Sequence, residues 1–313
     1  MLISDLKEDT INYIYFFIEK NYFLNKHIKG DYFMKKFTVF LILLLPVFYY
    51  SCSDNSSSSP IIPNVKVESS TIRVGCEIEK ICTEAASFMI MVYRNQPLPT
   101  PACPVIIHNT SAKKITVDYG STPCISELDS TRKSGKYEIN YYTNVSADSI
   151  AGKITFSNFQ VFRSNNPTDT MFIQFSGDDD VAGMRIDSAA YRLYIKANNN
   201  FNRNNNTNGN TDISYTGTVN IGNLAISTDD VFSLLGTGTL INSGISYTYN
   251  IYDPNNPMII YGNCKYAQSG LIRLTTGGKD VIINYYPNNG NCDPIITITK
   301  DNVTVTVNLS TEF

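Results

Sequence analysis

Residues 303–310 read VTVTVNLS. Val303, Val305, Val307 and Leu309 share one parity, and Thr304, Thr306, Asn308 and Ser310 the other. Successive side chains of a strand point to opposite faces, so this stretch predicts a half-buried β-strand. Working upstream, similar runs rich in Val, Ile, Thr, Tyr and Phe recur at 113–119, 136–142, 153–163, 170–175, 191–197, 213–221, 231–240, 245–252, 271–274, 280–286 and 295–299. Gly, Asn, Asp, Ser and Pro punctuate them, as turns require. The run 153–163 changes phase: Ile154 and Phe156 share one parity, Phe159 and Val161 the other. A bulge near Ser157–Asn158 would put all four on the core side.

One helix stands before the strands. Glu77 to Tyr93 holds helix formers without Pro or Gly. Ile78, Ile81, Cys82, Ala85, Phe88 and Met89 recur at helical spacing, which predicts one face packed on the sheet. The expected fold is therefore all-β, an antiparallel sandwich or partly open barrel with one N-terminal helix.

Composition agrees and excludes some functions. Charged residues make up 17%, net charge is −3, and there are 21 Tyr, 16 Phe and no Trp. No basic excess supports a nucleic-acid partner.

The N-terminal part reads as an address. Residues 34–52 are MKKFTVFLILLLPVFYYSC. Lys35 and Lys36 precede an uncharged apolar run from Phe37 to Tyr50, too short to span a bilayer but long enough for a signal peptide. Cys52 at its end resembles the acylated Cys of a lipobox, although Leu is missing three residues before it. We expect residues 34–51 to be a lipoprotein signal peptide and Cys52 to carry the lipid. Residues 1–33 precede a signal that works from the very N-terminus, so translation is expected to start at Met34. Residues 52–63, with four consecutive Ser and two Pro, read as a flexible tether, and 64–313 as the secreted β domain. The expected location is the cell envelope, as an outer-membrane lipoprotein held by several acyl chains.

The seven Cys fit that address. Removing Cys52 leaves an even number, as an exported protein favours. Fifteen pairings are possible. Cys103 and Cys124 bracket one predicted strand and Cys264 and Cys292 another, which predicts pairs 103–124 and 264–292, with Cys76–Cys82 left as a local bridge. No C-x-x-C is present, and only His108 follows the leader, so no metal or other cofactor is expected.

Two segments echo each other. The first runs Cys103-Pro-Val, Lys114-Ile-Thr-Val-Asp-Tyr-Gly, Cys124, then Arg132-Lys-Ser-Gly-Lys. The second runs Cys264, Ser269-Gly-Leu, Lys279-Asp-Val-Ile-Ile-Asn-Tyr, then Cys292-Asp-Pro. A duplicated hairpin stapled by one disulfide would account for both. With Ile154–Val161 and Gly270, these motifs resemble a family of uncharacterised secreted lipoproteins of the Bacteroidetes over residues 100–310. Asn284-Tyr285-Tyr286 departs from its Asp-Tyr-Gly. The resemblance implies an envelope location and a β fold, and brings no catalytic residues.

Chemistry is sparse. His108 has no nucleophile pattern around it. Asp178-Asp179-Asp180 carries oxygen ligands that suit Ca²⁺ but lacks the spacing of a calcium loop, so a solvated turn is expected. The Asn-rich run 197–211 is expected to be a disordered loop. Tyr141, Tyr142, Tyr247, Tyr249, Tyr285 and Tyr286 are candidates for ligand recognition. The favoured function is a binding or structural module, not an enzyme, with a glycan or protein as ligand and the membrane as partner through the lipid. The rival is a glycoside-type hydrolase using acidic residues, with Asp118 and Asp129 as the pair considered.

Overall fold

The computed structural model describes residues 63–143, 148–204, 207–223, 227–285 and 292–312. Residues 1–33, the leader, Cys52, the tether before Pro63, and Tyr286 lie outside the described residues.

Helix α1 spans Lys66–Tyr93. Among the described residues fifteen strands follow in chain order: β1 Val105–Asn109, β2 Lys114–Asp118, β3 Cys124–Ile125, β4 Arg132–Tyr141, β5 Ser149–Phe162, β6 Phe172–Arg185, β7 Ala190–Arg203 and β8 Thr207–Asn220. The rest are β9 Val231–Asn242, β10 Ile245–Ile251, β11 Met258–Tyr261, β12 Leu271–Thr276, β13 Lys279–Asn284, β14 Ile295–Lys300 and β15 Val303–Asn308. They form one antiparallel meander in the order β1-β2-β4-β5-β6-β7-β8-β9-β10-β12-β13-β14-β15, with β3 added to β4 and β11 to β9. The sheet does not close into a barrel.

What the sheet encloses is α1. Of the helix's 28 residues, 23 are buried, including Glu68, Arg73, Glu77, Glu79 and Lys80. The expectation of one packed face is corrected here: strands reach the helix from all round. Its partners run from Tyr137 of β4 and Asp179 of β6 through Tyr249 of β10 to Lys300 of β14 and Glu312 near the chain end. Four strands, β5 to β8, have 14 residues each. At about 3.3 Å per residue they are roughly 45 Å long, close to the roughly 42 Å of a 28-residue helix. The strands are long because they cover a long helix. The helix also starts earlier than its sequence suggests. Gly75 interrupts the pattern yet stays helical, with the Tyr249 ring 3.5 Å from where a Cβ would stand, an ordinary contact.

The phase change in β5 is a bulge. Pairing with β6 shifts between Thr155 and Phe159, and pairing with β4 shifts between Ser134 and Lys136. Asn158 turns to φ 51°. Phe159 and Ile154 are then fully buried, and Phe156 packs partly buried against Tyr137, Phe159 and Phe175, ring centroids 5.8–6.5 Å apart. Gly135 faces the bulge at φ 75°, where a Cβ would lie 2.0 Å from the Asn158 carbonyl oxygen.

The two echoing segments share a local device. In each, a disulfide spans a two-stranded hairpin. Cys103–Cys124 flanks β1–β2 and Cys264–Cys292 flanks β12–β13, with Cα–Cα distances of 6.4 and 5.4 Å. Each second strand ends in a buried tyrosine, Tyr119 or Tyr285, aimed at α1. The backbone N–H of each donates to a glycine carbonyl, Gly135 at 2.9 Å and Gly270 at 3.0 Å. The glycine lies downstream in the first case and upstream in the second.

The expected Cys76–Cys82 bridge is absent; both thiols are free and buried. Six helical steps separate them, a rise of about 9 Å, and Cα atoms more than about 7 Å apart cannot be bridged.

Gly135→Ala is expected to destabilise the fold by about 2–3 kcal/mol, because strain and a backbone clash coincide. Gly120→Ala, also at positive φ (73°) but with nothing within 4 Å, should cost about 1 kcal/mol. Urea midpoints of the two variants check this; equal shifts would contradict the clash.

Candidate functional site

The strongest concentration of ionisable groups follows one side of α1. Arg73, Glu77, Lys80 and Glu84 recur at spacings of four, three and four, so they form one helical stripe. A sequence reader takes such a stripe for a solvated face. Here two segments cover it: residues 126–133, from β3 into β4, and 261–267, after β11. Arg73 ion-pairs with Glu77 and donates to the Tyr266 hydroxyl at 2.5 Å. Burial opposes the Arg73 charge, but Glu77 and Tyr266 more than restore it. Lys80 donates to the carbonyls of Tyr261 and Gly262. Burial lowers its pKa, partly offset by Asp129 and Glu84. Glu84 accepts from Tyr137 and, at 3.5 Å, from Tyr119.

Asp129 and Lys133 complete the cluster with a buried ion pair at 2.7 Å. Burial pushes Asp129 up, but Lys133 and Lys80 outweigh it and hold the carboxyl below its usual range. Burial likewise opposes the Lys133 charge, and Asp129 overrides it. Lys265, across the seam, is lowered to about 8 by burial and then by Arg73.

The other sides of the helix carry acids of a different kind. Glu79 accepts from the Tyr249 hydroxyl at 2.5 Å and has no cation beside it; burial raises its pKa to about 7. Asp179 accepts from Asn199 Nδ2 at 2.6 Å, the Asn198 N–H at 3.0 Å and Cys82 Sγ at 3.5 Å; burial raises it to about 7. Asp230 accepts from Ser87 at 2.5 Å and is raised by burial to about 6. Cys76 meets the Tyr285 hydroxyl at 2.7 Å, and burial drives both thiols upward, away from the reactive thiolate.

The residues singled out by sequence separate into structural roles. Asp118 accepts from the Gly120 N–H at 2.8 Å in the turn after β2, while Asp129 is committed to Lys133. Each carboxylate is thus committed to its own contact, one to a backbone N–H and the other to a lysine. His108 lies on β1 and contacts the Tyr141 hydroxyl at 2.7 Å. Asp178–Asp180 is not a turn: it lies mid-strand in β6, with Asp179 inward and Asp180 exposed. The Asn-rich run is not a disordered loop along its described residues: it forms the ends of β7 and β8, with Asn199 and Phe201 buried. Tyr141, Tyr247, Tyr249 and Tyr285 are buried, so they cannot offer a surface; Tyr142 is 49% exposed. Tyr194, overlooked in the sequence, is 48% exposed. Its parity with Arg192 and Lys196, opposite to Tyr191, Leu193 and Ile195, was the available signal.

Among the described residues, no three His, Cys, Asp or Glu side chains are grouped to hold a metal ion, and no helix is long and apolar enough to cross a membrane. No family model, curated protein or solved structure matches the chain.

Lys133→Met is expected to destabilise by about 3–5 kcal/mol, since Asp129 is left buried and unpaired. Adding Asp129→Leu should return much of that loss. A double-mutant cycle in urea reads both, and additive losses would contradict the pairing.

Glu79 gives a pH signature. Its ordinary value is 4.5 and its folded value about 7. Below pH 4.5 both folded and unfolded states hold the proton. Between these values the unfolded state releases it first, so stability falls as pH rises, and the loss is complete above about 7. Asp179 and Asp230 act in the same direction. Glu79→Gln should remove roughly 3 kcal/mol of that decline. Unfolding free energies of both proteins across the window check the sign; a parallel decline in the variant would contradict it.

Proposed function

We propose that the chain is a lipid-anchored envelope protein whose folded part binds ligand on its outer surface and carries out no chemistry of its own. The observation behind this reading is that α1 fills the space the curled sheet would otherwise offer. Two clefts beside the helix, lined by Ser87, Ser227 and neighbours of α1, each have a cavity volume of about 10 Å³. That is room for about one water, far less than a small-molecule site needs. The interior acids and bases are spent on each other, on tyrosine hydroxyls, on backbone groups and on neighbouring Asn, Ser and Cys side chains. The outer face of the sheet is what remains for a partner.

The membrane half of the proposal rests on the leader, on Cys52, and on the resemblance to secreted lipoproteins of the Bacteroidetes. The two disulfides suit an oxidising compartment. Parity lends less than the sequence suggested, because Cys76 and Cys82 are unpaired for a reason of their own.

Intact-mass analysis of protein extracted from membranes is expected to show a chain beginning at an acylated Cys52. A product that begins before Met34, or an unmodified Cys52, would overturn the anchor.

A further inference from the structure

One cross-strand row on the outer face differs from its neighbours. Ala151 of β5 pairs with Ala182 of β6, and Ala182 with Tyr194 of β7. On the other flank the Tyr142 N–H, just past β4, donates to the Ala151 carbonyl at 2.9 Å. The row therefore reads Tyr142, Ala151, Ala182, Tyr194. Both tyrosines are half exposed, and the alanines between them are short and partly buried. Three inter-strand steps of about 4.8 Å separate the tyrosines' strands, roughly 14 Å in all. Two aromatic side chains thus bound a low floor of methyl groups. Met184, 58% exposed and two residues along β6, extends it.

The surroundings restrict what fits. The adjacent row is Lys153, Asp180 and Lys196. Lys153 is tied to Asp178 at 2.6 Å, and Lys196 to Asp212. On the far side the row is Ser149, Met184 and the exposed Arg192, and beyond it Arg185 pairs with Asp148 at 3.4 Å. The apolar strip is one residue wide except at Met184, and of the charges beside it Lys153, Lys196 and Arg185 are each held by an aspartate. A stable protein partner needs about 800 Å² on each side, far more than this strip supplies. The occupant that matches is narrow and uncharged, apolar on its faces and hydroxylated along its edges. Tyr suits such a ligand, since its ring stacks and its hydroxyl bonds.

The geometry points to a neutral glycan chain laid across β4 to β7. Sugar rings stack on Tyr142 and Tyr194, a ring between them spans the alanine floor, and hydroxyls reach Lys153, Asp180 and Lys196. This rests on the reading of the chain as a surface binding module and names its ligand class.

The test is affinity gel electrophoresis of the full chain in detergent, with arabinoxylan, galactomannan, mixed-linkage β-glucan and amylopectin as the four neutral probes and polygalacturonate as an acidic control. At least one is expected to retard the protein. Tyr142→Ala and Tyr194→Ala should each weaken that retardation about tenfold or more, Tyr194→Phe should keep it, and Tyr252→Ala, exposed elsewhere, should leave it unchanged. Ala182→Arg raises the floor without removing a buried group, so it tests the site if a tyrosine variant folds poorly by circular dichroism. Retardation by none of the four, or retardation that survives both Tyr194→Ala and Ala182→Arg, overturns the platform. Binding that persists in those variants, or binding only to acidic polygalacturonate, removes this site while leaving the broader reading standing.

Discussion

Everything in this fold answers to one constraint: a 28-residue helix with a charged stripe lies inside the sheet. Taking a charge out of water costs several kcal/mol, and attraction repays it only where geometry and hydrogen bonds are complete. Arg73, Glu77, Lys80 and Glu84 meet that demand through Tyr266, two backbone carbonyls, Tyr137 and Tyr119. The two segments that cover the stripe each carry or adjoin a disulfide. Cys124 stands two residues before Ser126, and Cys264 lies within 261–267. Fixing these segments keeps the polar groups registered on the helix, so the stapled hairpins and the buried charges form one device. A network of this kind specifies a single arrangement more than it adds stability.

The same constraint explains what could be read in advance. Strands such as β15 and β2 announce themselves, because their inner residues are apolar and their outer ones polar. β7 and β6 do so only in part. The inward position Asn199 is polar, and its partner Asp179 is polar too, so alternation vanishes from the sequence exactly where one polar residue serves another. An Asn-rich run then looks like a loop and an Asp run like a turn. The first half of α1, with Ser69, Ser70, Thr71 and Gly75, also reads poorly. Weak helix formers are tolerated there because surrounding strands supply the stability, and tertiary packing overrides local propensity.

Surface chemistry was partly legible by the same parity rule. Tyr142 and Tyr194 follow inward residues of their own strands and must point out. Tyr249 and Tyr285 are drawn inward because helix side chains need hydroxyl partners, a need no local pattern displays, whereas Tyr141 turns in to meet His108 of β1. The cysteines divide likewise. Four join hairpins, while Cys76 and Cys82 lie too far apart along α1 to meet.

The central claim, that α1 is core and not an appendage to the sheet, is tested most directly by native-state hydrogen exchange. If the account holds, amides from Cys76 to Met89 exchange only through global unfolding, with the same free energy and denaturant dependence as those of β6 to β8. Exchange of the helix through a smaller, denaturant-insensitive opening while those strands stay protected would contradict it.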